Sequence, residues 1–87
     1  MRTPAGELDL VVERNGLLVF VEVKARPTLA EAALALAPRQ QARLVAAADA
    51  WLAANPGHGA AGMRFDVLVV DAAGRVRRIA DAFRAEG

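Results

Sequence analysis

Asn15-Gly16 lies between two runs rich in aliphatic and β-branched residues, Glu-Leu-Asp-Leu-Val-Val-Glu at 7–13 and Leu-Leu-Val-Phe-Val-Glu-Val-Lys at 17–24. An Asn-Gly step between two such runs is the strongest short signal for a β-hairpin, because a two-residue turn of the favoured kind needs positive φ at both of its central residues. The turn also sets the register. If Arg14 pairs with Leu17, the numbers of every opposed pair sum to 31, so Asp9 faces Glu22 and Glu7 faces Lys24. Side chains alternate along a strand. All four charged groups would therefore share one face, and Leu8, Leu10, Val12, Val19, Val21 and Val23 would form a wholly apolar second face, expected to be core.

Arg26-Pro27 closes the second strand, since proline donates nothing to a ladder and restricts the residue before it. Thr28, with Glu31 three residues on, reads as the capping box of a short helix at 28–37. Pro38 suits the first position of a longer helix running to about Ala54, whose apolar stripe is Leu44, Val45, Ala48, Trp51 and Leu52. After the loop at 55–59, the stretch 64–71 has the nearly continuous apolar character of an interior strand. Ala73-Gly74 then turns the chain into a short fourth strand at 75–80. A strand, helix, strand order implies that the second and third strands run parallel through a crossover. The fold class expected is α/β, a small mixed sheet with flanking helices, in a single domain over residues 1–87.

The chain has 87 residues and no cysteine. Disulfide frameworks and thiolate metal sites are therefore excluded, and a cytoplasmic location with no membrane association is the default expectation. No serine is present, so a serine nucleophile is excluded too. A formal net charge of +1 argues neither for nor against a polyanionic partner. Lys24 is the only lysine among the 11 basic residues, in a chain whose composition otherwise favours arginine. A compact ammonium and a planar guanidinium are not interchangeable, which invites a chemical reason for a lysine at this position.

Opposed strand residues bring their Cβ atoms within roughly 4.5 to 5.5 Å, and like charges there destabilise a hairpin. Asp9 against Glu22 needs a cation. Lys24 is one source. Mg²⁺, with Mn²⁺ as a substitute, is another, because such ions bind through one or two carboxylates and fill their remaining positions with water and phosphate oxygens. Asp9 and Glu22 are thus candidate metal ligands, and Asp9, Glu22 and Lys24 candidate catalytic residues for phosphodiester chemistry. The plainer reading is a solvated face on which Lys24 pairs with Glu7, and geometry alone weighs the two about equally.

Gly6-Glu7-Leu8-Asp9-Leu10, followed by Leu-Val-Phe-Val-Glu-Val-Lys-Ala-Arg at 18–26, resembles the YraN-like bacterial family. The likeness continues through Pro-Arg-Gln-Gln at 38–41, Ala50-Trp51-Leu52, Arg-Phe-Asp-Val at 64–67 and Asp81-Ala82-Phe83. That family is similar to Holliday-junction resolvases. The resemblance implies a restriction-endonuclease-like PD-(D/E)XK core, Mg²⁺-dependent endonuclease chemistry on DNA, including branched DNA, and a triad at Asp9, Glu22 and Lys24. It also implies a helix and strand ahead of the hairpin, so the chain is expected to be truncated at its N-terminus, with Val11, Leu18 and Phe20 short of cover and the chain self-associating as a homo-oligomer. The rival reading is a non-catalytic nucleic-acid-binding or assembly module that retains the fold.

Arg26, Arg39 and Arg43 are the candidate phosphate contacts, and Glu7 and Gln41 are candidate neighbours of the site. His58 stands in a glycine-rich loop with no acid near it in sequence and reads as neither ligand nor catalyst. Asp71 reads as a turn residue, Trp51 as core, and Asp66 is not explained by its sequence context.

Overall fold

The computed structural model describes residues 2–28, 30, 31 and 36–83. A two-stranded ribbon opens the chain, β1 (Arg2–Thr3) with β2 (Gly6–Glu7), followed by β3 (Leu10–Arg14), β4 (Leu17–Ala25), the helix α1 (Pro38–Ala54), β5 (Gly62–Val70) and β6 (Val76–Phe83). The main sheet has the order β3-β4-β5-β6, antiparallel at both ends and parallel in the middle.

Asn15 and Gly16 adopt φ of 53° and 81°, and every pair from Leu10↔Val21 to Arg14↔Leu17 sums to 31. The turn therefore fixes the register the sequence implies. Gly16 is constrained twice, because a Cβ there would also lie 3.3 Å from the Ala61 nitrogen. Pro38 begins α1 as expected, and Leu44, Ala47 and Ala48 are its buried residues. Thr28 Oγ1 accepts the Glu31 N–H at 3.2 Å, as a capping residue would; most of the short helix expected at 28–37 lies outside the described residues. The last strand runs three residues further than its pattern suggests, to Phe83. It does so across an irregularity between Phe65 and Val67 that turns Phe83 back onto Phe65, where the rings stack with centroids 4.6 Å apart.

Two expectations for the hairpin are overturned. The first strand does not run unbroken from residue 7, because the chain bends at Asp9 and Glu7 belongs to the separate ribbon, paired with Arg2. The helix also covers the face opposite to the one expected to be core. Helix α1 packs on the side carrying Leu18 and Phe20, and these form the core with Leu8, Leu44, Ala47, Ala48, Phe65 and Phe83. Val11 packs against the same cluster, so the residues expected to lack cover are covered. Of the face expected to be core, Leu10, Val12 and Val23 are between 44% and 47% exposed, while Val19 and Val21 on it are buried at 9% each. Alternation separates the two sides of a strand, but with apolar residues on both it does not say which side a helix will occupy. Leu8 reaches the core because the bend at Asp9 releases it from the β3 alternation.

His58 also departs from its sequence reading, since it has an acid partner after all. Its Nδ1 lies 3.0 Å from Glu13 Oε1, and the Gly59 N–H donates to Glu13 Oε2 at 2.8 Å, so one β3 carboxylate clasps the loop that follows α1. These bonds, the Gly59 one foremost, hold the Glu13 pKa below its usual 4.5. A lowered carboxylate pKa contributes stability that is present above the unfolded value and lost as pH falls through the folded one. Glu13→Gln is therefore expected to lower Tm at pH 7, with the gap to the parent closing below about pH 4. Parallel melting curves of the two chains from pH 7 to pH 3 read this directly.

Candidate functional site

The row of β4 side chains on the helix-covered face runs Leu18, Phe20, Glu22, Lys24. Phe20 is sealed by α1 and by its rings' neighbours, with Phe65 stacked at 5.5 Å and Trp51 edge-on at 6.0 Å. Glu22 stands one step further along, opposite Val67 on β5, and is only 8% exposed. Its burial thus follows from the face reversal: on the solvent face it would have been hydrated.

Lys24 Nζ lies 3.3 Å from Glu22 Oε2, with the lysine side chain 19% exposed. The other oxygen, Glu22 Oε1, is buried with no hydrogen-bond partner among the described residues. Burial, and next the nearby charge of Asp9, push the Glu22 pKa above its usual 4.5, against the lowering pull of Lys24. A buried acceptor short of donors is costly, and here one oxygen meets an ammonium while the Asp9 backbone N–H exerts only the weakest of the pulls on the carboxylate's pKa.

Asp9 occupies the bend just before β3 and is exposed. Its Oδ2 accepts the Val23 N–H of β4 at 2.8 Å. The carboxylate therefore takes the place of a ladder partner where β3 has ended, and its negative charge is close enough to act on Glu22. Asp9, Glu22 and Lys24 form one electrostatic group, although Asp9 reaches it by a bend and not as a strand residue. Among the described residues no group of three or more His, Asp or Glu side chains gathers to hold a metal. Two carboxylates, one with an orphaned oxygen, match the small protein share of a Mg²⁺ coordination shell, so the donor set fits that ion.

The other candidates are scattered. Glu7 is exposed on the ribbon and lines a cavity of about 410 Å³ with Gln40 and Arg43, away from Lys24. Gln41 is engaged elsewhere, its amide donating to the Leu36 carbonyl at 2.6 Å. Arg26 is half-buried and donates to the Ala25 carbonyl at 2.8 Å, while Arg39 is exposed on the first turn of α1. Asp71 is the turn residue expected, accepting from the Ala73 and Arg75 N–H groups.

Asp66 is the residue that sequence reasoning left open. It is 4% exposed on the face away from α1, and it accepts the Arg64 guanidinium through both oxygens at 3.0 and 3.1 Å and the Asp81 N–H at 2.8 Å. Asp81 has a φ of 52°. Asp66 therefore clasps the irregular stretch of β6 on one side and an arginine on the other. The Arg-x-Asp spacing on an interior strand was the available sequence signal, since residues two apart share a face.

The fold and this group define a small mixed α/β protein, with a four-stranded mixed sheet, one described long helix and a carboxylate and lysine cluster beside the core. No helix among the described residues is long and apolar enough to cross a membrane. Residues 1–70 match the uncharacterised protein family UPF0102, and the chain belongs to that family. It is 62% identical over 86 residues to a UPF0102 protein of Granulibacter bethesdensis, covering 99% of this chain and 54% of that protein. A UPF0102 protein of Bradyrhizobium sp. is 49% identical over 84 residues, covering 97% of this chain and 60% of its own length. One from Rhodopseudomonas palustris is 56% identical over 69 residues, 79% of this chain and 53% of that protein. The chain thus spans a little over half the length of these relatives.

Proposed function

We propose that this chain carries the catalytic core of a Mg²⁺-dependent nuclease of the PD-(D/E)XK kind, related to the YraN-like proteins and acting on DNA, including branched DNA. The observation that carries the reading is the buried, half-satisfied carboxylate of Glu22, with an ammonium at 3.3 Å on one oxygen and no partner for the other among the described residues. A purely structural ion pair gains nothing from leaving one oxygen poorly satisfied beside a second carboxylate, whereas a cation would use both.

Asp9 and Glu22 would hold the ion, which when bound supplies Lewis-acid stabilisation of a phosphoryl oxygen and a more acidic water. The chain's own residues do the rest. Asp9, fixed by the Val23 N–H, presents its second oxygen; Glu22 is positioned by packing beside Phe20; Lys24 places a positive charge where negative charge develops on the phosphate. Arg26, Arg39 and Arg43 contact flanking phosphates. A second copy of the chain is the proposed protein partner, added at an exposed edge strand of the sheet, β3 or β6.

Purified chain incubated with linear and four-way junction DNA tests the reading. Cleavage is expected with Mg²⁺ or Mn²⁺ and not with chelator, and Glu22→Gln is expected to abolish it. DNA binding without metal-dependent cleavage would instead assign the chain to a non-catalytic nucleic-acid-binding or assembly module.

Metal binding has a readout apart from cleavage. An ion that binds only the folded chain stabilises it by RT ln(1 + [L]/Kd), about 1.4 kcal/mol at ten times Kd, or roughly 4 to 8 °C in Tm for a domain of this size. Asp9→Asn keeps an oxygen for the Val23 N–H while removing the charge that opposes Glu22. It is expected to melt no lower than the parent without metal, and to lose the response to Mg²⁺. Equal shifts in both chains, or none in either, would remove the metal from the proposal.

A further inference from the structure

The face of the sheet turned away from α1 carries arginines from three strands. Arg14 of β3, Arg64 of β5 and Arg78 of β6 line a cavity of about 480 Å³ whose apolar walls include Val12, Leu17 and Val19. Strand register places them together: Arg14 opposes Leu17, Val12 opposes Val19, and Val19 neighbours Arg64. None of these residues belongs to the Asp9, Glu22 and Lys24 group, which reaches the sheet from its other side and edge.

The arginines are not equivalent. Arg64 is held by Asp66 through its Nε and one terminal nitrogen, so its fork is ordered before any ligand arrives. A guanidinium has five N–H donors, and two are used on Asp66. The side chain keeps 30% of its surface exposed, leaving donors to offer the cavity. Arg78 stands 3.9 Å from the same carboxylate with 60% of its side chain exposed. Arg14 has no ion pair among the described residues. Three positive groups thus line the cavity, and the one buried carboxylate beside them serves Arg64 and stands near Arg78 alone, its oxygens already accepting from Arg64 and from the Asp81 N–H. Excess positive charge, one pre-ordered fork and a flat aliphatic floor suit a ligand that is anionic at one end and apolar and planar at the other.

We propose that this cavity is a phosphate-binding site that takes a nucleotide unit, with the phosphate on Arg14, Arg64 and Arg78 and the base or sugar on Val12, Leu17 and Val19. The unit has two sources, a single strand of nucleic acid or a free mononucleotide, and the chemistry of recognition is common to both. A strand bound here lies on the opposite side of the sheet from Lys24, so the site works whether or not the carboxylate group cuts DNA.

The test is titration at low salt of the parent chain, Arg14→Gln and Arg78→Gln with adenosine monophosphate and with a short single-stranded deoxyoligonucleotide, by calorimetry and by NMR of the arginine Nε–H signals. Both altered side chains are exposed, so Tm should stay near the parent's, and the Mg²⁺-induced shift should be unchanged because neither residue touches the carboxylate group. The parent is expected to bind the oligonucleotide with perturbation of the Arg64 signal. Each variant should bind about tenfold more weakly, with the slope of log K against log salt reduced by about 0.7, as for one lost single-strand contact. Binding of the mononucleotide alone supports the site and assigns it to a free nucleotide. Binding of equal strength in the parent and both variants overturns it. So does an absence of binding, and if the chain then sediments as a dimer that Arg14→Glu dissociates, the face belongs to a second copy of the chain.

Discussion

Lys24→Ala is expected to lower the single-turnover rate of Mg²⁺-dependent DNA cleavage by about 10²- to 10⁴-fold, the range for removing one positioned acid, base or charge-stabilising group. The ammonium is only 3.3 Å from Glu22 Oε2, so the substitution acts twice. It removes the positive charge at the phosphate, and it leaves a buried carboxylate with both oxygens short of partners, raising the Glu22 pKa still further. The second effect shows in the pH profile. In Lys24→Ala the rate should rise with pH to a higher plateau pH than in the parent, because Glu22 must lose its proton before it can hold a cation. Lys24→Arg retains the charge but spreads it over a planar fork with different reach, and is expected to recover only a small part of the rate while restoring stability. If Lys24→Arg cuts at the parental rate, the lysine serves as an ion-pair partner and has no special part in the chemistry.

The second large effect concerns the core. Leu8 and Leu10 are two residues apart and on one continuous strand would share a face, yet Leu8 is 1% exposed and Leu10 47%. Leu8→Ala is expected to cost about 2 to 5 kcal/mol, the range for truncating a fully buried leucine. That approaches the whole stability of a domain this small, typically about 0.05 to 0.15 kcal/mol per residue. Leu10→Ala should cost well under half as much, because half of its side chain is already in water. Urea denaturation of the two variants, compared at equal slope, measures the difference. Equal losses would mean that β3 continues unbroken through Asp9, and the placement of Asp9 on the β4 edge would fall with it.

The pH dependence of the Asp9 and Glu22 pair runs opposite to that of the Glu13 clasp. A raised carboxylate pKa means that ionised Glu22 destabilises the fold at neutral pH, a cost relieved as pH falls through its folded value. Without metal, Glu22→Gln should therefore melt higher than the parent at pH 7 and lose the advantage in acid, whereas Glu13→Gln melts lower at pH 7.

What the sequence determined by itself was local or set by register. Asn15-Gly16 needs positive φ at adjacent residues, and that one requirement fixed the hairpin and the β4 partner of every β3 residue. Pro38 and the Leu44 to Leu52 stripe located α1, and the nearly continuous apolar run of β5 marked it as interior. Glu22 and Lys24 were legible as a pair because residues two apart on one strand share a face, whereas Asp9 joins them through the bend and not through the register. Only the tertiary structure decided which face of the hairpin α1 would cover, since both faces are apolar enough to pack and the choice rests on how the crossover from β4 to β5 lays the helix down. That choice buried Glu22, left its Oε1 without a partner, raised its pKa, and opened the opposite face where Arg14, Arg64 and Arg78 meet. It also brought Glu13 to His58 across 45 positions of sequence, a contact no local pattern encodes. Periodicity fixes what a strand offers on each side, and the packing of whole elements fixes what each side meets.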